Sequence, residues 1–309
     1  MVRLRRIAPS FYIFKGTKLY IMHHKASAGP CQELFIYYIK GRLKADSVVL
    51  HDDFIGNWEE EDDSFLFFSR PASGQIENLL CHQPHLSYID SYQMLYEQWL
   101  GEVFSTFEHG KFRVIPPWEV TPDRVNANGD KLQILLDPGL VFGSGTHPTT
   151  RDCLEALDLA ADSKEIDTVL DLGTGTGLLA LAAAKLGSKR VTGVDLNFLA
   201  AKTAGRNVRL NHLQNRVAIV QGRAEDFIAC PADLVVANIH YDVMRQLVNV
   251  KGFLAKKRFI LSGLLRSEAK DIADNLARRQ VNIIKHWTHD GTWHTFYVQT
   301  EQDGSYNTQ

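Results

Sequence analysis

Cysteine is scarce and unpatterned. The four, Cys31, Cys81, Cys153 and Cys230, form no CxxC pair and keep no regular spacing, which argues against a disulfide framework or a structural zinc site. Net charge is also nearly missing: Lys plus Arg total 34 against 36 Asp plus Glu, a formal charge of −2. No bulk electrostatic drive toward nucleic acid or an anionic membrane follows from that balance, and the one basic cluster, Lys256, Lys257 and Arg258, is local. Long hydrophobic runs are absent too, since no segment approaches the roughly 20 apolar residues of a membrane span. The basic start MVRLRRIAPSFYIFKG lacks an apolar stretch of secretory-signal length, so the expected compartment is the cytoplasm. Solenoid repeats and biased tracts are not found. What is there is 309 residues, 45% hydrophobic and 23% charged, enough to bury the core of one large domain or two ordinary ones.

The chain changes character near its middle. Before about residue 130 it is irregular and aromatic. Leu19–His23 reads as a strand, Cys31–Lys44 as a helix, Ser47–Leu50 and Ser64–Ser69 as strands, Gln75–Cys81 as a short helix and Leu86–Ile89 as extended. The acidic run Glu59–Asp63 reads as a solvated loop. This order suits a small α+β sandwich of ferredoxin-like type. Met94–Phe107 reads as a helix, and Lys111–Val120 as a strand stopped by Pro116 and Pro117. From Asp167 onward the pattern is regular, with strands at Thr168–Leu172, Arg190–Val194, Val217–Gln221, Asp233–Ala237 and Arg258–Leu261. Helical stretches over 177–186, 197–211, 241–248 and 266–279 separate them, and Asn197 is a natural cap for the second. Two last strands, Val281–Trp287 and Trp293–Gln299, flank an Asp290-Gly291 turn. Such β-α alternation predicts a doubly wound, mostly parallel sheet with one antiparallel strand from the closing hairpin.

Three segments carry chemistry. VLDLGTGTGLLALAAAKLG (169–187) places Gly173, Gly175 and Gly177 between a strand and a helix, where glycine admits positive φ and close approach of a ligand. Asp195 ends the next strand, the place where acidic groups of such folds receive a ribose diol. The GxGxG spacing differs from the dinucleotide GxGxxG. Asp171, two residues ahead of it, would repel a pyrophosphate but can pair with the ammonium of a methionine moiety, so S-adenosylmethionine fits better than NAD. Asn238, in Ala237-Asn238-Ile239-His240-Tyr241, falls at the carboxyl end of the fourth strand and faces the crevice. Its amide can hold an amine in line with a sulfonium methyl; the bland alternative is a helix cap. His240 reads as a polar neighbour of the turn. DPGLVFGSGTHPTT (137–150) is a glycine-rich connection into a helix over 151–159, and its hydroxyls at Thr146, Thr149 and Thr150 favour a loop covering a ligand.

Together DPGLVFGSGTHPTT, VLDLGTGTGLLALAAAKLG, GVDLN (193–197), VVANI (235–239) and RVIPPWE (113–119) resemble the ribosomal protein L11 methyltransferase family. The likeness spans roughly residues 95–299, and the FGSGTHPTT loop is its most specific part. The resemblance implies a class I methyltransferase: a Rossmann-like, mostly parallel sheet of seven strands preceded by a small ferredoxin-like domain. It implies S-adenosyl-L-methionine as cofactor, with contacts from Thr150, Gly173, Asp195 and Asn238, to which Thr146, Asp171 and Gly175 are added from the motifs. It also implies a protein substrate, ribosomal protein L11, methylated on amino groups including lysine, with no metal, no membrane and no indicated nucleic acid. The implied division is a recognition domain over 1–92, a connector over 93–130 and the methyltransferase domain over 131–309. At His240 and Tyr241 the chain departs from the aliphatic residues usual in the family.

The expected reaction is N-methylation of a protein amine, with Asn238 orienting the nucleophile and no strong base required. Two other readings stand beside it. Asn238-Ile239-His240-Tyr241 echoes, without its prolines, the Asn-Pro-Pro-Tyr signature of enzymes acting on planar amino groups of nucleic acid or glutamine. A non-catalytic nucleotide-binding regulatory module is the other.

Overall fold

The computed structural model describes residues 32–44, 50, 52–60, 62–101, 103–121, 130–163, 166–250, 252–253, 255–279 and 281–300. The strand expected over Leu19–His23 lies outside these residues, as does all of the one expected over Ser47–Leu50 except Leu50. Strands β1 (Glu33–Lys40), β2 (Phe54–Glu60), β3 (Asp63–Phe68) and β4 (Ser87–Leu95) form an antiparallel sheet of order β2-β3-β1-β4, with helix α1 (Ser73–His82) between β3 and β4. That is the strand order of the expected ferredoxin-like unit.

The helix expected over Cys31–Lys44 is instead strand β1. Leu34 and Ile36 pack with Ile55, Phe67, Leu140 and Leu199 on one face, and Tyr37 and Ile39 pack with Leu66, Phe68 and Leu79 on the other. A strand buried on both faces loses its alternation, so apolar residues at 34, 36, 37, 39 and 43 imitate helical spacing, while the aromatic and β-branched content favours a pleated surface. The acidic run is likewise not a plain loop: Glu59 and Glu60 close β2 and Asp63 opens β3, where it pairs with Lys40 at 2.9 Å.

The expected helix Met94–Phe107 shrinks to α2 (Tyr96–Leu100). Met94 and Leu95 belong to β4, and Gly101 at φ 77° stops the helix in the left-handed conformation. A three-stranded sheet of β5 (Phe107–His109), β6 (Phe112–Ile115) and β7 (Leu132–Leu135) follows. Pro116, which has no N–H to donate, ends β6 as expected.

The larger body begins with α3 (Pro148–Ser163), β8 (Thr168–Leu172), α4 (Leu178–Lys185), β9 (Arg190–Asp195), α5 (Phe198–Leu210) and β10 (Val217–Gln221). It continues through α6 (Ala224–Phe227), β11 (Leu234–Asn238), α7 (Tyr241–Leu247), β12 (Arg258–Leu265), α8 (Arg266–Ala277), β13 (Val281–His289) and β14 (Trp293–Thr300). Its seven strands run β10-β9-β8-β11-β12-β14-β13, and β14 is antiparallel to both neighbours. The central strands β8 and β11 are largely apolar, with Asp171 and Asn238 toward their carboxyl ends. Asn197 caps α5 by accepting from the amides of Leu199 and Ala200, and Asp290 and Gly291 take φ 49° and 64°, the left-handed pair a tight hairpin needs. The basic cluster is not a surface patch, because Lys256 and Arg258 are only 4% and 5% exposed. Among the described residues no helix is long and apolar enough to cross a membrane.

The two bodies meet on the Leu34–Ile36–Phe67 face. Trp99 Nε1 donates to the Leu140 carbonyl at 3.2 Å, Trp58 meets Phe142 edge-on with centroids 5.7 Å apart, and a Cβ on Gly56 would lie 2.5 Å from Leu199 Cδ1. The amino-terminal sheet thus sits against α5 and the 137–150 loop. Phe67 is fully buried in this contact and rings with Trp99. Phe67→Ala should lower the urea-unfolding free energy by about 3–5 kcal/mol; a loss within the roughly 0.5 kcal/mol of surface substitutions would contradict the packing.

Candidate functional site

The glycine turn after β8 is built as its sequence requires. Gly173, Gly175 and Gly177 take φ 72°, 54° and 85°. A Cβ on Gly173 would fall 2.0 Å from Ile239 Cγ2, and one on Gly175 would fall 2.6 Å from the Phe142 carbonyl. The turn is therefore flanked by the end of β11 and roofed by the 137–150 loop. Gly173 and Thr174 amides donate to the Val194 carbonyl at 2.8 and 3.0 Å, which locks the turn to β9.

Two carboxylates lie beneath it. Asp195 Oδ2 accepts from the Gly175 amide and Oδ1 from the Asn197 amide, both at 2.9 Å. Burial pushes its pKa up against the pull of those two amides, and each oxygen keeps a lone pair for a hydroxyl donor. Asp171 is 1% exposed. Its Oδ2 accepts from the Thr174 hydroxyl at 2.6 Å, while its buried Oδ1 has no hydrogen-bond partner among the described residues. Burial raises its pKa to about 7, with the Thr174 hydrogen bond opposing. Two neighbouring acids, Asp171 buried with an orphaned oxygen and Asp195 half-buried, suit a cationic group rather than a phosphate.

The loop brings the remaining residues in. Thr150, 3% exposed, accepts from Asn238 Nδ2 at 3.4 Å, so a hydroxyl in the first turn of α3, which begins at Pro148 and not at the expected 151, and the amide at the end of β11 meet across the crevice. Gly263, at φ 82°, leaves Asn238 its place: a Cβ there would lie 3.0 Å from Asn238 Oδ1. Thr146 Oγ1 lies 2.8 Å from Ser144 Oγ within the loop. Thr176 Oγ1 donates to the Gly143 carbonyl at 2.6 Å, tying the loop to the glycine turn.

Sequence reasoning missed the residues that hold the loop. Asn207 of α5 is fully buried; its Oδ1 accepts from the Asp137 amide at 3.0 Å, and its Nδ2 donates to the Asp137 and Thr176 carbonyls at 2.9 Å each. One turn on, Asn211 grips both backbone groups of Leu135, and Arg206 pairs with Asp137 at 3.0 Å. The available signal was two asparagines four residues apart in a helix, where asparagine is a weak former. His240 and Tyr241 turn away from the crevice: exposed His240 accepts from the Asp242 amide at 3.4 Å to cap α7, and the Tyr241 hydroxyl donates to Asp271 of α8 at 2.8 Å. Among the described residues no cluster of His, Cys, Asp or Glu could hold a metal ion.

Asp171 makes stability depend on pH in a definite sense. Its folded pKa of about 7 lies above the ordinary carboxylate value of 3.8, so the ionised form costs stability above pH 7. The cost shrinks as pH falls through the folded value and vanishes below the ordinary one. Asp171→Asn should therefore melt higher than wild type at pH 8, and the two melting temperatures should converge toward pH 4. A gap that is constant with pH would refute the burial of this charge.

The family model for ribosomal protein L11 methyltransferase matches residues 81–301. The ribosomal protein L11 methyltransferase of Geobacillus kaustophilus is 39% identical over 184 residues, covering 57% of each chain. That of Bacillus licheniformis is 37% identical over 178 residues, covering 57% of this chain and 55% of the relative. The chain thus spans little more than half the length of these relatives. The crystal structure of ribosomal protein L11 methylase from Lactobacillus delbrueckii subsp. bulgaricus superposes with a TM-score of 0.53 at 26% identity, covering 64% of this chain and 99% of that one. Since the family model matches residues 81–301, well over half of the chain, the chain belongs to the ribosomal protein L11 methyltransferase family, a family of class I S-adenosylmethionine-dependent methyltransferases.

Proposed function

We propose that this protein transfers a methyl group from S-adenosylmethionine to an amino group of a protein, and that ribosomal protein L11, in the cytoplasm, is the acceptor. The observation that carries this reading is the meeting of Asn238 and Thr150 at 3.4 Å beside the glycine turn, because it sets an amide where a nucleophile must be aligned and a hydroxyl under the covering loop. In this reading Asp195 receives the ribose hydroxyls. The backbone at Gly173 and Gly175 admits the donor, and Asp171 with its free oxygen balances the donor's positive charge. Thr150 and Thr146 line the cover.

The donor supplies an electrophilic methyl on sulfonium, so the chain's tasks are alignment and exclusion of water. Asn238 Oδ1 accepts from an N–H of the neutral amine and turns the lone pair toward the methyl. The roof over Gly175 keeps solvent from the reacting line. A lysine with ordinary pKa near 10.4 must shed its proton on entry, which a buried cationic neighbour favours. An amino-terminal domain over 1–92, joined through a connector over 93–130 to a methyltransferase domain over 131–309, serves substrate recognition in this reading. The planar-amine alternative loses its stacking residue, since Tyr241 is bonded to Asp271. Burial of Lys256 and Arg258 leaves no phosphate-binding patch at the basic cluster.

Incubating the protein with labelled donor and, separately, with L11 and ribosomal RNA tests the acceptor: label in L11 amines is expected, and label confined to RNA would overturn the reading. Asp195→Ala should weaken donor binding by about tenfold or more, the loss of charge-assisted hydrogen bonds. Asn238→Ala should lower kcat by about 100-fold, in the range for removing one aligned polar contact, with donor affinity changed far less. Calorimetry and single-turnover transfer separate the two effects.

A further inference from the structure

Asn238 stands opposite Ser262 in the parallel pairing of β11 with β12. On its other side β12 pairs with β14, where Leu261 faces Phe296 and Leu264 faces His294. Ser262 and Gly263 therefore both stand against the single residue Thr295, a β-bulge in the strand beside the aligning amide. An extra residue of this kind bends its strand and re-aims the side chains around it. Gly263 takes φ 82°, and a Cβ on it would lie 3.0 Å from Asn238 Oδ1 and 3.2 Å from the Ile239 carbonyl, so the bulge is shaped around the Asn238 amide.

The same bulge holds the other member of the Asn238–Thr150 contact. Ser262 and Thr295 are fully buried, in strands whose neighbouring residues Leu261, Leu264 and Phe296 are apolar, and a hydroxyl left without a hydrogen bond there is costly. Ser262 Oγ donates to the Thr149 carbonyl at 3.3 Å and lies 2.6 Å from Thr295 Oγ1. Each hydroxyl has one proton, so with that of Ser262 on the carbonyl, the short bond takes its proton from Thr295. The fully buried Cys153 thiol also reaches Ser262; burial pushes its pKa up, which keeps it a neutral and weak partner. The relay from Thr295 through Ser262 to Thr149 ends one residue before Thr150, whose hydroxyl accepts from Asn238 Nδ2. With Nδ2 engaged there, Oδ1 is the atom left for an amine.

We propose that Ser262 and Thr295 are positioning residues for methyl transfer: their hydroxyl pair fixes the first turn of α3 against the end of β11, and so holds the Asn238 amide with Oδ1 toward the acceptor amine. The inference rests on the protein-amine reading, in which Asn238 aligns the nucleophile. Neither residue touches donor or acceptor. Without the pair, Thr150 no longer holds Nδ2, and the amide can turn over to present Nδ2, which cannot accept from an N–H.

A double-mutant cycle in single-turnover transfer tests it. Thr295→Val, which keeps the shape and removes the hydroxyl, should lower the rate by about 10-fold, inside the roughly 100-fold that misplacement by an ångström costs. Calorimetric donor affinity should stay at the wild-type value, and Thr295→Ser, which keeps the hydroxyl, should keep most of the rate. In an Asn238→Ala background Thr295→Val should cost nothing further, because residues that act through one contact are not additive. Ser262→Ala goes through the same cycle with the same expectations, and replaces Thr295→Val if that variant does not fold. Losses that add in the double variant, a wild-type rate in the single ones, a loss in Thr295→Ser equal to that in Thr295→Val, or a fall in rate matched by lost donor affinity would each overturn the proposal and leave the protein-amine reading standing. A wild-type protein that binds donor but methylates no protein amine would bring down both.

Discussion

The fully buried amide of Asn207 joins three segments at one point: helix α5, the start of the 137–150 loop and the glycine turn. Its three hydrogen bonds, to the Asp137 amide and to the Asp137 and Thr176 carbonyls, satisfy backbone groups that no ladder reaches. An unmade bond at such a depth costs about 1–3 kcal/mol, so the chain is strongly biased toward this one arrangement. From it follow the roof over Gly175, the Thr176–Gly143 tie and the entry of Thr150 beside Asn238. Asn211 and Arg206 extend the same grip to Leu135 and Asp137. The loop's glycines supply the turns, and the asparagines decide which turns are kept.

Electrostatics complements this geometry. Asp171 and Asp195 are both buried enough for their acidities to fall, an unfavourable state for anions left alone. The cost is offset when a cation enters, which makes the cleft selective by charge as well as by shape. Asp152 is likewise buried but already has an imidazole partner in His289. In the proposed reading, the charge of a sulfonium donor is what offsets the burial of Asp171 and Asp195.

Much of this was legible in the sequence because the causes are local. Glycines at 173, 175 and 177, the Asn197 cap and the Asp290-Gly291 turn act through their own φ angles or through amides two and three residues on. The β-α alternation after residue 167 gave each parallel strand within a residue or two, although β12 runs on to Leu265. Long-range causes were not legible. Strand β1 read as a helix because two cores flank it, and α2 read too long because the run of large apolar residues crosses Gly101. The Asn207 clamp acts on Asp137, 70 residues upstream, and the Tyr241 hydroxyl finds Asp271, 30 residues on. Neither partner can be named before the fold is known. The short strands β5 and β7 escaped because three or four residues carry little pattern, and β2 escaped because its second half, residues 57–60, is mostly polar and merges with the acidic run.

The Asn207 clamp, outside the cleft, sets the shape of the proposed donor site. This control is tested most directly by the calorimetric dissociation constant for S-adenosylmethionine of Asn207→Ala, on protein shown by circular dichroism to be folded. Asn207 touches none of the proposed donor contacts except through the backbone of the loop and turn, yet a loss of about tenfold or more in affinity is predicted from the unsatisfied backbone groups it leaves. An affinity equal to wild type in a folded variant would contradict the account.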